Sequence, residues 1–232
     1  MASRAAASDT SDRSQSTPGA ITRGESMHGP TIRGESTPGA TTPGPITRSL
    51  YLRPWRLDLT DRSGRPQLLT RAAIARDLAR ALVAGGAPQP AAVGIILTDD
   101  AELAELNERA MGRSGTTDVL SFPLLPPSSF PPHPGREPEA GITTEPRAAM
   151  EQAFVLPPRQ RVHLGEVVVS VERAVEQAEE GRGGQTGDVS WSPASELRLL
   201  VIHGTLHLCG WDHAEPEEEA AMRALERELL RH

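Results

Sequence analysis

Leu164-Gly165-Glu166-Val167-Val168-Val169-Ser170-Val171 sets three β-branched residues side by side with no polar residue between them. A strand with one wet face alternates apolar and polar residues; an unbroken apolar run is buried on both faces, as happens when helices cover both sides of a sheet. The stretch therefore predicts a central strand in a layered fold of mixed helices and strands. The flanking sequence supplies the partners. Trp55–Thr60 alternates with period two, Val93–Leu97 is a short apolar run, and Val119–Phe122 ends at Pro123. Between them, Ile74, Leu78 and Leu82 recur every four residues over Arg71–Ala84, with Thr70 as N-cap and Gly85-Gly86 as the stop. Asp99–Ala110 reads as a second helix, with acidic residues at its positive end and Leu103 and Leu106 turned inward. A third helix follows over about Glu172–Glu180. Ser192-Pro193 opens a fourth that runs through Leu208 to Gly210, and Pro216–Leu230 makes a fifth. Four strands and about five helices predict an α/β (α+β sandwich) fold.

Outside this core the composition changes. Most of the 21 prolines fall in residues 1–49 and 124–163, which leaves a core the size of one ordinary domain. Residues 17–26 and 27–36 are two copies of a decamer with only one or two sizeable apolar residues each, too little to offset the entropy of ordering a backbone. The expectation is a disordered, repeat-containing extension over 1–49 and one domain over 50–232, interrupted by a flexible Pro-rich loop at 124–163. The extension holds Asp9, Asp12, Glu25 and Glu35 and no amphipathic stripe, so it does not read as a transit peptide. No apolar run is long enough to span a membrane. One cysteine, Cys209, excludes an intrachain disulfide framework and fits a reducing, cytosol-like compartment. The 24 basic residues, all arginine, are outnumbered by 31 acidic ones and form no basic arm, which argues against binding nucleic acid mainly by phosphate neutralisation.

The chemistry concentrates near the end of the fourth helix, in His203-Gly204-Thr205-Leu206-His207-Leu208-Cys209-Gly210-Trp211-Asp212-His213. His203 and His207 stand at i and i+4, so their rings share one face about 6 Å apart, the bite that two imidazoles need on one zinc ion. Gly210 lets the chain turn and return His213 to the same point. Three histidine ligands leave a fourth position open, which is the mark of a catalytic rather than a structural site. Cys209 lies about 200° round the helix from His207 and reads as a small buried hydrophobe, not a fourth ligand. The spacing equals that of the metzincin peptidases, but Gly204 stands where those enzymes carry the Glu that serves as general base, so the metal centre points to a different reaction.

The same run resembles the H-G-x-L-H-L-x-G-[YW]-D-H signature of the YbeY endoribonuclease family. Two further stretches are similar to that family's: Leu106-Asn107, Gly112 and Thr117-Asp118-Val119-Leu120-Ser121-Phe122-Pro123, and Leu164–Ser170. The resemblance implies a metal-dependent endoribonuclease, cytoplasmic or of an organelle, that prefers single-stranded RNA and acts in maturation of the small-subunit rRNA 3′ end and in ribosome quality control; cytoplasmic is the expectation. It implies one Zn2+ per chain on His203, His207 and His213, and contact with rRNA and with the ribosome or small-subunit proteins. Met111 replaces the arginine that usually precedes Gly112, and Glu166 replaces an aspartate. Arg109 and Arg113 are near enough in sequence to stand in for that arginine as substrate-binding groups. Arg113 and Asp212 are the catalytic candidates, Asp212 either orienting an imidazole or shaping the turn; Ser121 and Thr117 are candidates to line the cleft. Attack by metal-activated water and attack by the RNA 2′-hydroxyl both stay open. Two competing readings are a non-catalytic metal-binding ribosome assembly factor and a hydrolase of a small amide or ester.

Overall fold

The computed structural model describes residues 46–136, 161–181 and 191–231. The chain order is β1 (Thr47–Leu52), β2 (Trp55–Asp61), α1 (Arg71–Ala84), β3 (Ala91–Thr98), α2 (Asp100–Met111), β4 (Val119–Pro123), β5 (Val162–Ser170), α3 (Val171–Glu179), α4 (Pro193–Leu208) and α5 (Pro216–Leu230). The strands form one mixed sheet in the order β1-β2-β3-β5-β4, with β2, β3 and β5 parallel and the two edge strands antiparallel to their neighbours. No helix among the described residues is long and apolar enough to cross a membrane.

The caps follow local chemistry. The side chains of Thr70, Asp99, Ser170 and Ser192 each accept a hydrogen bond from a backbone N–H three residues on, which satisfies one of the donors that a helix start leaves open. The Val167–Val169 run behaves as its sequence predicts. Val167 and Val169 enter the large core beneath α1, α4 and α5, while Val168 points the other way and packs with Leu103 of α2 and Leu120 of β4.

Three expectations change. The sheet has five strands, not four. β1 carries few apolar residues and is largely exposed, with only Leu50 and Leu52 half-buried against the core, so its pairing with β2 rather than any periodicity defines it. Because β1 begins at Thr47, ordered structure starts before residue 50; the decamer repeats lie outside the described residues. The segment after β4 is not a flexible loop throughout 124–163. Residues 127–129 form a short 3-10 turn, Phe130 is buried in the main core, and β5 already starts at Val162. Residues 137–160 lie outside the described residues.

Helix α4 is the most buried of the described helices, and Gly204 sets its distance from the sheet. A Cβ there would fall 2.5 Å from Val167 Cγ1 and 2.9 Å from Val119 Cγ2. The helix backbone therefore rests on β4 and β5, and the Ser121 hydroxyl donates to the Gly204 carbonyl at 2.9 Å. A glutamate at this position would meet the sheet, not the histidines. Gly204→Ala is expected to destabilise the fold by about 1–3 kcal/mol through overpacking, read from the urea midpoint at unchanged slope.

Candidate metal centre

His203 and His207 project from α4, and His213 comes back from the turn after Gly210, whose φ of +82° suits a residue without a side chain. The ring nitrogens of the three residues lie within 4.8 Å of one another. Each of the two helical rings is fixed from behind. His203 Nδ1 lies 2.7 Å from Glu226 Oε1 of α5, and His207 Nδ1 lies 2.8 Å from the Trp211 carbonyl. A carbonyl oxygen can only accept, so His207 Nδ1 donates to it, and a neutral His207 ring then presents its Nε2 lone pair; an ionised Glu226 carboxylate likewise accepts from His203 Nδ1. Those two Nε2 atoms stand 3.0 Å apart. That is hydrogen-bond distance for a ring N–H and a ring nitrogen, and it is also close enough for both nitrogens to ligate one divalent ion at about 2.0–2.1 Å each. Burial, reinforced by the neighbouring rings of His203 and His213, pushes His207 down to about 4. The ring is then neutral at physiological pH, as a ligand must be. The residues present thus fit a zinc ion.

Cys209 takes no part. It is fully buried, its thiol is pushed up to about 12 by burial, and it packs where α4 passes Gly85.

The cleft beside the histidines is walled by α4 and α5, with Asp118 at the start of β4 and Glu196, His203, His213, Glu226 and Arg227 among its lining. Arg223 lines it too and is tied to Glu219 at 2.5 Å. Arg109 and Arg113 are not among the lining residues. Both are exposed, Arg109 pairs with Glu105 on its own helix at 3.3 Å, and α2 lies on the opposite face of the sheet from α4. Met111 is exposed as well. Ser121 is spent on the α4 backbone and Thr117 on the Val119 carbonyl. The Asp212 carboxylate accepts from the His213 backbone N–H at 2.8 Å, so it shapes the turn and does not hold an imidazole. Sequence reasoning missed Glu226, the Trp211 carbonyl, Arg223 and Arg227. The i, i+4 spacing of the two arginines on an amphipathic helix was a visible hint of a common face; nothing local marked Glu226.

A family model described as Endoribonuclease YbeY matches residues 66–232. An Endoribonuclease YbeY of Roseiflexus sp. (strain RS-1) is 39% identical over 143 residues, 61% of this chain and 70% of that protein. One from Salinispora tropica is 40% identical over 145 residues, 62% of this chain and 76% of that protein. A solution structure from Thermotoga maritima is 22% identical, with a TM-score of 0.41, over 76% of this chain and 88% of that one.

Two outcomes follow from the geometry. Glu226→Ala is expected to lower zinc affinity about 10–100-fold in a chelator competition, with Glu226→Gln closer to the parent because it can still accept from Nδ1. In metal-free protein, folding holds His207 neutral while the unfolded chain takes up a proton near 6.5. Stability should therefore fall by about 3 kcal/mol as pH drops from 6.5 towards 4, and this dependence should be absent in His207→Ala when urea unfolding is followed across that range.

Proposed function

The chain belongs to the YbeY endoribonuclease family, and on that premise we propose that it is a zinc-dependent endoribonuclease that cuts single-stranded RNA during ribosomal RNA maturation in the cytoplasm. The observation that carries the metal part of this reading is the convergence of one ring nitrogen from each of His203, His207 and His213 within 4.8 Å, with Glu226 and the Trp211 carbonyl fixing the two helical rings from behind. Zinc bound there would supply a Lewis acid for a phosphoryl oxygen and would acidify a water at the open fourth position.

The chain's own groups supply the rest. Glu226 and the Trp211 carbonyl keep both helical imidazoles oriented and raise their basicity as ligands. His213, the exposed member of the three, borders the open side where a substrate arrives. Arg223 and Arg227 stand one turn apart on α5 along the same cleft, placed to contact phosphate oxygens on either side of the scissile bond. They take the role that the sequence led one to seek at Arg109 and Arg113. We place the small-subunit rRNA 3′ end and contacts with the ribosome in the same proposal, on the family resemblance alone.

The test is cleavage of an unstructured RNA, its duplex, and a DNA of the same sequence by purified protein. Metal-dependent cutting of the single strand, lost by at least a hundredfold in His207→Ala, is the expected result. Retained binding to ribosomal particles with no cutting by zinc-loaded wild type would favour a non-catalytic assembly factor. Cleavage of the DNA would remove the RNA 2′-hydroxyl as the nucleophile.

A further inference from the structure

His133 lies in the Pro-rich segment after β4, 80 residues before the last histidine of the metal centre, and its side chain is only 5% exposed. Its ring stacks on the Trp211 indole, with centroids 4.0 Å apart and planes 8° from parallel. Its Nε2–H donates to the Gly210 carbonyl at 3.2 Å and faces the Glu218 carboxylate at 3.5 Å. The stack on Trp211 and the bond to Gly210 both fall on the turn that carries His213, and Glu218 lies in the first turn of α5 just beyond it. Trp211 is also the residue whose carbonyl fixes His207, at 2.8 Å. Glu218 in turn accepts from the Asp212 N–H at 2.8 Å, and Asp212 accepts from the His213 N–H at the same distance. The rest of the segment closes in on the same turn. A Cβ on Gly210 would meet Arg136 Nη1 at 3.0 Å and Pro127 at 3.2 Å, and a Cβ on Gly135 would fall 2.3 Å from the Glu218 nitrogen.

We propose that His133 is a positioning residue for the metal centre: by stacking on Trp211 and bonding the Gly210 carbonyl, it holds the 209–213 turn so that His213 and the His207 partner are both in place. The argument is one of leverage. The first two ligands ride on a helix that the core fixes, whereas the third rides on the exposed end of a turn, just past the buried Cys209 and Trp211. The Gly210 and Trp211 N–H groups donate back to the His207 and Leu206 carbonyls at 3.0 and 3.1 Å, but Asp212 and His213 lie beyond those bonds, and a small rotation there would carry His213 away from the other two nitrogens. An aromatic stack and a hydrogen bond on consecutive residues of that turn remove this freedom before any ligand binds. The contacts come from a segment that the sequence reading treated as an insert without structure, so the insert contributes to the site instead of merely interrupting the domain.

This inference rests on the zinc reading, and its test keeps the two apart. His133→Ala and His133→Phe are made in the full chain, with Phe130→Leu as a control that loosens the same segment within the core. Hydrogen exchange of the Asp212 and His213 amides is measured on the metal-free proteins; zinc affinity by chelator competition and the visible spectrum of the cobalt(II) form follow. The expected result is exchange at those amides at least tenfold faster in His133→Ala, about tenfold weaker zinc binding and an altered cobalt band. His133→Phe, which keeps the stack alone, should fall between His133→Ala and wild type; Phe130→Leu should change thermal stability with little effect on the other readouts. Wild-type exchange, zinc affinity and cobalt spectrum in folded His133→Ala would overturn the proposal, as would equal losses in Phe130→Leu. Should His133→Ala fail to fold, His133→Phe against Phe130→Leu decides by the same criteria. Wild-type protein that binds no zinc would refute the metal reading, and the amide exchange would still judge His133.

Discussion

The site depends on how closely α4 can lie on the sheet. Without a side chain at Gly204 the helix backbone sits against Val167 and Val119, and the direction of that contact fixes every other residue on the helix. At about 100° per residue, His203 lies about 100° and His207 about 60° to the same side of the Gly204 direction. Both rings therefore emerge at one flank of the buried face, His207 deeper than His203. That difference in depth is the physical origin of the strong downward shift at His207, where burial is the largest cause. Cys209 falls about 140° to the other side and is driven into the core near Gly85. One glycine contact thus separates the metal-facing side of the helix from its packing side.

What the sequence disclosed was what local periodicity and local geometry can encode. The helices and the inner strands were readable because apolar residues repeat at the spacing of the element that buries them, and Val167–Val169 read as a doubly covered strand for the same reason. β1 was not readable: its residues are mostly exposed, and the information that makes it a strand lies in its register with β2, from Thr47 opposite Thr60 to Leu52 opposite Trp55. The same division runs through the site. Two ligands one helical turn apart and a third beyond a glycine are a local pattern. Glu226 arrives 23 residues later on another helix, and His133 lies 77 residues from the Gly210 carbonyl it bonds; neither has a periodic signature. Arg109 and Arg113 misled for the converse reason. They are close in sequence to a motif that is close to the site, but α2 crosses the far face of the sheet, so proximity along the chain did not become proximity in space.

The cleft itself is not a basic groove, and this bears on how it would select a substrate. Carboxylates outnumber guanidinium groups along its walls, but all four are engaged: Glu226 holds His203, Glu219 holds Arg223, Asp118 accepts from Gln177 Nε2 at 3.0 Å and Glu196 accepts from Trp191 Nε1 at 2.5 Å. In a chain with a net charge of −7, Arg223 and Arg227 would neutralise few phosphates. Binding through counterion release grows with the number of phosphates neutralised, so nonspecific attraction for RNA along this wall would be weak and only shallowly dependent on salt. Weak general attraction leaves discrimination to the short-range part of the site. Under the proposed zinc chemistry, a strand would be held only where one phosphate reaches the point on which the three histidines converge, and the stiffness of the 209–213 turn would decide how sharply that point is defined. A nuclease built this way would gain selectivity from geometry at the metal centre, at the expense of affinity for RNA at large.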